Sequence, residues 1–149
     1  MMKPAVRYRE IAHASPEYQA ALRLRDEMLR RPLGMRLADE DLSDETEFTH
    51  IVGKDGDGVI VACMSLKPLA EGVLKMQQVA VSVHRQGEGI GRELVEFAEG
   101  LAKRAGADLI VLHAREAVIG FYEKLGYKRV GERFTEIGVP HFKAEKRLR

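Results

Sequence analysis

The residues Gln86-Gly87-Glu88-Gly89-Ile90-Gly91 stand where the apolar pattern of the chain changes period. Before them, Val73 to Val83 reads as a strand. After them, Ile90, Leu94, Phe97, Ala98, Leu101, Ala102 and Ala105 fall on one helical stripe, and Gly106 ends it. The segment Asp108 to His113 follows, and its Leu109-Ile110-Val111-Leu112 is short and wholly apolar, as expected of a strand buried on both faces. A strand, a tight turn, a helix and a second buried strand form a crossover, which joins parallel neighbours in one sheet. That restricts the chain to folds containing at least one parallel strand pair covered by a helix.

The flanking segments are of another kind. Val6 to Ala12 is a short strand candidate. Ser15 reads as an N-cap, with Pro16 at the first helical position. Tyr18, Ala21, Leu22, Met28 and Leu29 keep helical spacing with Arg25 inside the stripe, until Pro32 and Gly34 stop the helix near Arg31. Ala38 to Glu47 is acidic and aperiodic, a surface loop or short helix. Phe48 to Lys54 and Val59 to Leu66 are two strands joined by Asp55-Gly56-Asp57-Gly58, a hairpin turn. Glu116 to Leu125 reads as a short helix closed by Gly126. Tyr127 to Phe134 and His141 to Leu148 are closing strands, and the lysines from Lys143 onward predict a sheet edge. The expected fold is therefore α/β, with a mixed (α+β) sheet: an antiparallel N-terminal meander, then a central parallel strand–helix–strand crossover. One domain is expected over residues 1–149.

Composition narrows the function. Lys and Arg number 24 against 23 Asp and Glu, a net charge of +1, which argues against a nucleic-acid partner. The one cysteine, Cys63, allows no intrachain disulfide and no Cys-x-x-Cys zinc site, so no metal is expected. The apolar run Val59 to Met64 is far short of the roughly 20 residues that span a bilayer. Met1-Met2-Lys3-Pro4-Ala5 has no apolar stretch of the signal-peptide type, so a cytoplasmic chain with no membrane partner is expected.

The glycines of the turn let the backbone bring N–H groups toward a ligand. The helix start behind them adds unpaired donors and about half a positive charge, which suits phosphate or diphosphate. The same spacing also suits a tight turn with no ligand. Gly91 is followed by Arg92-Glu93, so the turn lacks the Gly-Lys-Ser/Thr of a Walker A loop. The spacing Gly87-x-Gly89-x-Gly91 is one residue short of the dinucleotide fingerprint.

Two motifs carry a resemblance. Val79-Ala80-Val81 precedes Gln86-x-x-Gly89-x-Gly91, and Ala117-Val118-Ile119-Gly120-Phe121-Tyr122-Glu123-Lys124-Leu125-Gly126-Tyr127 follows in order. From Val73 to Tyr127 the chain resembles the GNAT family of acyl-CoA-dependent N-acetyltransferases. The resemblance implies acetyl-CoA as co-substrate and a small-molecule or peptide amine as acceptor. It also implies a homodimer through the closing strands, as is common in the family. Val79, Ala80 and Val81 would pair with the pantetheine arm through their backbone, in a gap between their strand and the one at Leu109 to Leu112. Gln86, Gly87, Glu88, Gly89, Ile90 and Gly91 would hold the diphosphate, with Arg92 beside them. Tyr122 occupies the position of the general acid toward the departing thiolate. Arg115 stands where many members carry an Asn that contacts pantetheine. Gln77 and Gln78 stand where a carboxylate base would be sought.

Chemistry sets what else is needed. An amine attacks a thioester only when neutral, and with an amine pKa of about 10.4 a base must take its proton. The thioester oxygen gains charge, and an N–H freed by a strand bulge near Val79 to Val81 is expected to meet it. A phenol suits protonation of the leaving thiolate. His50 and His141 are the first candidates for the base, with Glu71, His113 and a water chain left open. The competing reading is a regulatory module of the same fold that binds acyl-CoA but has reduced catalysis.

Overall fold

The computed structural model describes residues 5–149. Met1 to Pro4, part of the segment inspected above for a signal peptide, lie outside the described residues. The strands are β1 (Val6–Ile11), β2 (Thr49–Asp55), β3 (Ile60–Ala70), β4 (Val73–Val81), β5 (Leu109–Arg115), β6 (Lys128–Glu136) and β7 (Val139–Arg147). The helices are α1 (Pro16–Arg25), α2 (Ile90–Arg104) and α3 (Ile119–Lys124). The seven strands form one sheet in the order β1-β2-β3-β4-β5-β7-β6. Only β4 and β5 pair in parallel, and α2 connects them, so the fold is the mixed sheet that the crossover predicted. Among the described residues no helix is long and apolar enough to cross a membrane.

Local chemistry explains the element ends. The Ser15 side chain accepts from the Tyr18 N–H at 3.3 Å, capping α1, and Pro16 takes the first turn. The chain then widens into a π turn (Asp26–Arg30) and tightens into a 3-10 turn (Arg31–Leu33) before Gly34, at φ 72°, closes it. Asp55 Oδ1 accepts from the N–H groups of Asp57 and Val59, which builds the β2–β3 turn.

Residue alternation gives the sheet two different faces. Met64, Leu66, Met76, Ile110 and Leu112 pack against Leu94, Val95 and Ala98 of α2 and Ile119 and Tyr122 of α3. On the opposite face Val52, Cys63 and Ala80 pack against Tyr18, Ala21 and Leu24 of α1. The last strand corrects an expectation. β7 is not an edge: the β6–β7 hairpin returns it against β5, and β6 is the outer strand. The basic residues did not mark an edge because Lys146 bonds Glu99 and the Leu125 carbonyl instead of facing water alone.

The feature that positions the site is where β4 leaves β5. Their pairing runs only from Val73↔Leu109 to Met76↔Leu112. Beyond it, Gln78 adopts a φ of 57°, and the β3 partners step from Ser65↔Gln77 to Cys63↔Ala80. One extra residue is thus inserted in β4. Such a bulge bends its strand, and here it opens a gap toward the C-terminal ends of β4 and β5.

Candidate functional site

The gap is a cleft of about 390 Å³. Gln77, Gln78 and Val79 line it from β4, His113, Ala114 and Arg115 from β5, and Val118 and Tyr122 from the start of α3. Leu29 and Arg30 close it from the segment after α1, and Glu136, Ile137 and His141 from the β6–β7 hairpin. A volume near the lower end of the usual 300–1,000 Å³ for ligand pockets suits a small molecule.

One wall is an open strand edge. Ala80 and Val81 pair with β3, and the Ser82 N–H donates to the Val61 carbonyl at 2.8 Å. Because amides alternate in direction along a strand, the Val81 amide points away from β3, into the gap. The Gln86 side-chain amide donates to the Val81 carbonyl at 3.2 Å, which ties the glycine-rich turn to this edge.

That turn lies at the start of α2, outside the lining of the cleft. Gly87 and Gly89 hold φ values of 81° and 82°, a region that costs other residues about 1–2 kcal/mol. The first helical bond runs from the Glu93 N–H to the Gly89 carbonyl, so the amides of Ile90, Gly91 and Arg92 have no helical acceptor. Among the described residues, no side-chain acceptor is seen on these amides. Ile90 is buried in the core, and the Glu88 carboxylate is held by Arg85 at 3.0 Å. A Cβ on Gly91 would stand 3.2 Å from the Phe121 ring, so glycine lets α2 and α3 approach. Arg92 pairs with Glu96 across one helical turn. Free amides at a helix start beside an open strand edge fit a diphosphate joined to an extended polar arm.

Tyr122 is 8% exposed, with its ring edge-on to Phe121 and Tyr127. Its hydroxyl has no hydrogen-bond partner among the described residues, and burial raises its pKa above that of an ordinary phenol. It is therefore a neutral proton donor at the cleft wall.

The face of the cleft away from α2 is polar. Glu136 Oε1 lies 3.0 Å from His113 Nδ1, and Glu136 Oε2 lies 3.6 Å from His141 Nε2. Burial opposes ionisation of Glu136, but the His113 hydrogen bond and the charges of His113, Lys75 and His141 outweigh it and lower the carboxyl pKa. His141 Nδ1 lies 2.8 Å from the Val139 carbonyl. A carbonyl only accepts, so Nδ1 carries the proton and Nε2 keeps its lone pair in the neutral ring. Sequence reading missed Glu136, Lys75 and Arg30. Their only local signal was charge at alternating strand or helix-end positions, which surface residues share.

The predicted residues thus divide. Tyr122, His141, Arg115 and Val79 line the cleft, with Ala80 and Val81 continuing the same strand. Gln86 to Arg92 form the adjoining turn. His50 is not brought there. It is buried under α1, with Nδ1 2.9 Å from Ser65 Oγ and Nε2 2.8 Å from the Glu45 carbonyl. Both ring nitrogens are occupied, and burial depresses its pKa. Glu71 does not line the cleft, whereas His113 does. Arg115 donates to the Leu29 carbonyl at 3.0 Å.

The chain is similar to known proteins over most of its length. A profile of the acetyltransferase (GNAT) family matches residues 10–127. A Bacillus subtilis (strain 168) chain named "uncharacterized N-acetyltransferase YjcF" is 26% identical over 137 residues, which covers 91% of this chain and 96% of that one. The crystal structure of Escherichia coli ElaA superposes with a TM-score of 0.82 at 23% identity, covering 95% and 99% of the two chains. An aminoglycoside 6'-N-acetyltransferase complexed with coenzyme A superposes at 0.77 with 19% identity, covering 95% and 97%. The profile spans most of the chain, from β1 through the glycine-rich turn to the end of α3, and on that ground the chain belongs to the GNAT family of acetyltransferases.

Proposed function

We propose that this chain is a cytoplasmic N-acetyltransferase that moves an acetyl group from acetyl-CoA directly to a primary amine. The observation that carries the reading is the Tyr122 hydroxyl: it has no hydrogen-bond partner among the described residues, and its residue lines the cleft that opens at the β4 bulge. The coenzyme A bound by a relative of the same fold supports the donor class.

Acetyl-CoA supplies an activated thioester carbonyl. The backbone of Val79 to Val81 holds the pantetheine arm as an added strand, and the amides of the Gln86 to Gly91 turn hold the diphosphate. Amide N–H groups at the bulge stabilise charge on the thioester oxygen. His141 Nε2 takes the amine proton as the C–N bond forms, and Glu136 stabilises the resulting imidazolium. Tyr122 gives its proton to the sulfur as the C–S bond breaks. Cys63, the chain's one cysteine, is buried under α1, and burial pushes its thiol up to about 12, which speaks for direct transfer over a covalent acyl-enzyme.

The test is calorimetry with acetyl-CoA, free CoA and ATP, followed by a thiol-release screen over a broad amine panel. Binding of ATP and neither CoA species overturns the reading. Gln77 and Gln78, neither of which can act as a base, favour the regulatory-module reading to that extent, and CoA binding with no turnover of any amine would establish it.

A further inference from the structure

The charges of the cleft do not all find partners. Arg30, Lys75, His113, Arg115, Glu136 and His141 line it. Arg30 is neutralised by Glu40, with Nε 2.5 Å from Oε2, and its Nη2 also donates to Gln78 Oε1 at 3.3 Å. Glu136 serves His113, His141 and Lys75. Arg115 is left over. Its only hydrogen-bond acceptor among the described residues is the Leu29 carbonyl, and no carboxylate lies within ion-pair distance. Burial, and then the nearby Arg30 charge, lower its pKa, so its surroundings disfavour the cation instead of compensating it. A partly buried guanidinium with an unused N–H fork suits a carboxylate, which it binds through two parallel hydrogen bonds.

Register places Arg115 directly across from the base, and both side chains line the cleft. Arg115 and His141 are direct partners across β5 and β7, and opposed Cβ atoms lie about 4.5–5.5 Å apart. One short molecule can therefore place an anion on Arg115 and an amine at His141 and Glu136. A cleft of about 390 Å³ sets the same limit on size.

We propose that the acceptor is a small amino acid whose carboxylate pairs with Arg115 while its amine, a few bonds away, meets His141 and Glu136. The proposal rests on the acetyltransferase reading.

The experiment compares kcat/KM, expressed per free amine, for a set of amino acids, their carboxamides, the matching decarboxylated amines and phosphate-bearing amines. Carboxylates are expected to exceed both neutral sets by at least about tenfold. Arg115→Gln is expected to collapse the carboxylate-to-carboxamide ratio toward one, and Arg115→Lys to restore part of it. A fold defect or a weakened pantetheine contact would lower all acceptors together and leave that ratio unchanged. A wild-type ratio near one, a ratio that survives in Arg115→Gln, or a preference for phosphate-bearing amines overturns the proposal. So does acetyl-CoA binding without turnover of any carboxylate-bearing amine, which leaves the donor reading standing. If acetyl-CoA does not bind, the transferase reading fails, and the carboxylate site is then judged by titrating the chain with N-acetyl amino acids against their carboxamides. Tighter carboxylate binding that Arg115→Gln abolishes supports the site, and equal binding overturns it.

Discussion

Arg25 and Glu45 form a two-point ion pair, with Nη1–Oε1 at 2.7 Å and Nη2–Oε2 at 2.9 Å, and each residue is only 3% exposed. Tyr18 donates to the same carboxylate at 2.7 Å, while Arg25 Nε is buried without a partner. The pair ties α1 to the 3-10 turn Ser43–Glu47. Removing one partner strands the other charge, so Arg25→Met or Glu45→Gln is expected to lower stability by about 3–5 kcal/mol. The double replacement Arg25→Met/Glu45→Leu should lose less than the two single losses combined. Urea unfolding of the three variants checks this.

Stability should fall with acid in two windows. Burial opposes ionisation of Glu45, but the Arg25 hydrogen bonds and charge, the Tyr18 hydroxyl and His50 outweigh it, so its folded pKa is depressed. That contribution is present above an unfolded pKa of about 4.3 and is lost as pH drops through the lower folded value. Burial depresses the His50 pKa as well, so the unfolded chain takes up that proton first. Stability declines as pH falls from about 6.5 toward the folded value. His50→Asn should flatten the upper window, as read from urea midpoints across pH.

Tyr122→Phe should lower kcat by roughly 10- to 10⁴-fold, the range for acid–base catalysis. The ring stays and the lost hydroxyl bonds nothing among the described residues, so the thermal midpoint should barely move. Turnover at the wild-type rate would remove Tyr122 as the acid.

The two histidines should separate cleanly. His141→Asn is expected to cost roughly 10²–10⁴-fold in kcat/KM with the thermal midpoint little changed, the range for loss of a general base. His50→Asn should destabilise the fold and leave kcat/KM of the folded protein close to the wild-type value.

Gly89→Ala forces a side chain onto a φ of 82° at the start of α2. The free Ala turn relaxes from this conformation, and binding must restore about 1–2 kcal/mol of strain, which corresponds to roughly tenfold weaker binding. Calorimetry should show acetyl-CoA affinity falling by that factor, with kcat for a given amine close to unchanged.

Much of this architecture is legible in the chain because its signals are local. Ser15-Pro16 states a helix start, Asp55 to Gly58 a hairpin turn, and the change of period around Gly91 a crossover. Each of these depends on residues a few positions apart. Cys63 falls in an apolar run and is buried, and Arg25 inside an apolar stripe meets a partner twenty residues on. The edge position expected for the last strand failed because pairing order is a long-range property. Lys146 satisfies itself on Glu99, a residue of α2.

The polar wall of the cleft shows the same division more sharply. The sequence by itself determined the parallel crossover, the glycine-rich turn with its free amides, and the tyrosine of α3, since all three follow from backbone conformation and side-chain periodicity. Which histidine serves the cleft was decided only by tertiary structure. His50 and His141 are alike as letters, yet one lies on β2 beneath α1 and the other on β7 facing Glu136. The physical reason is the bulge at Gln78: one extra residue in β4 ends its pairing with β5 and opens the space that Arg115, Glu136 and His141 then share.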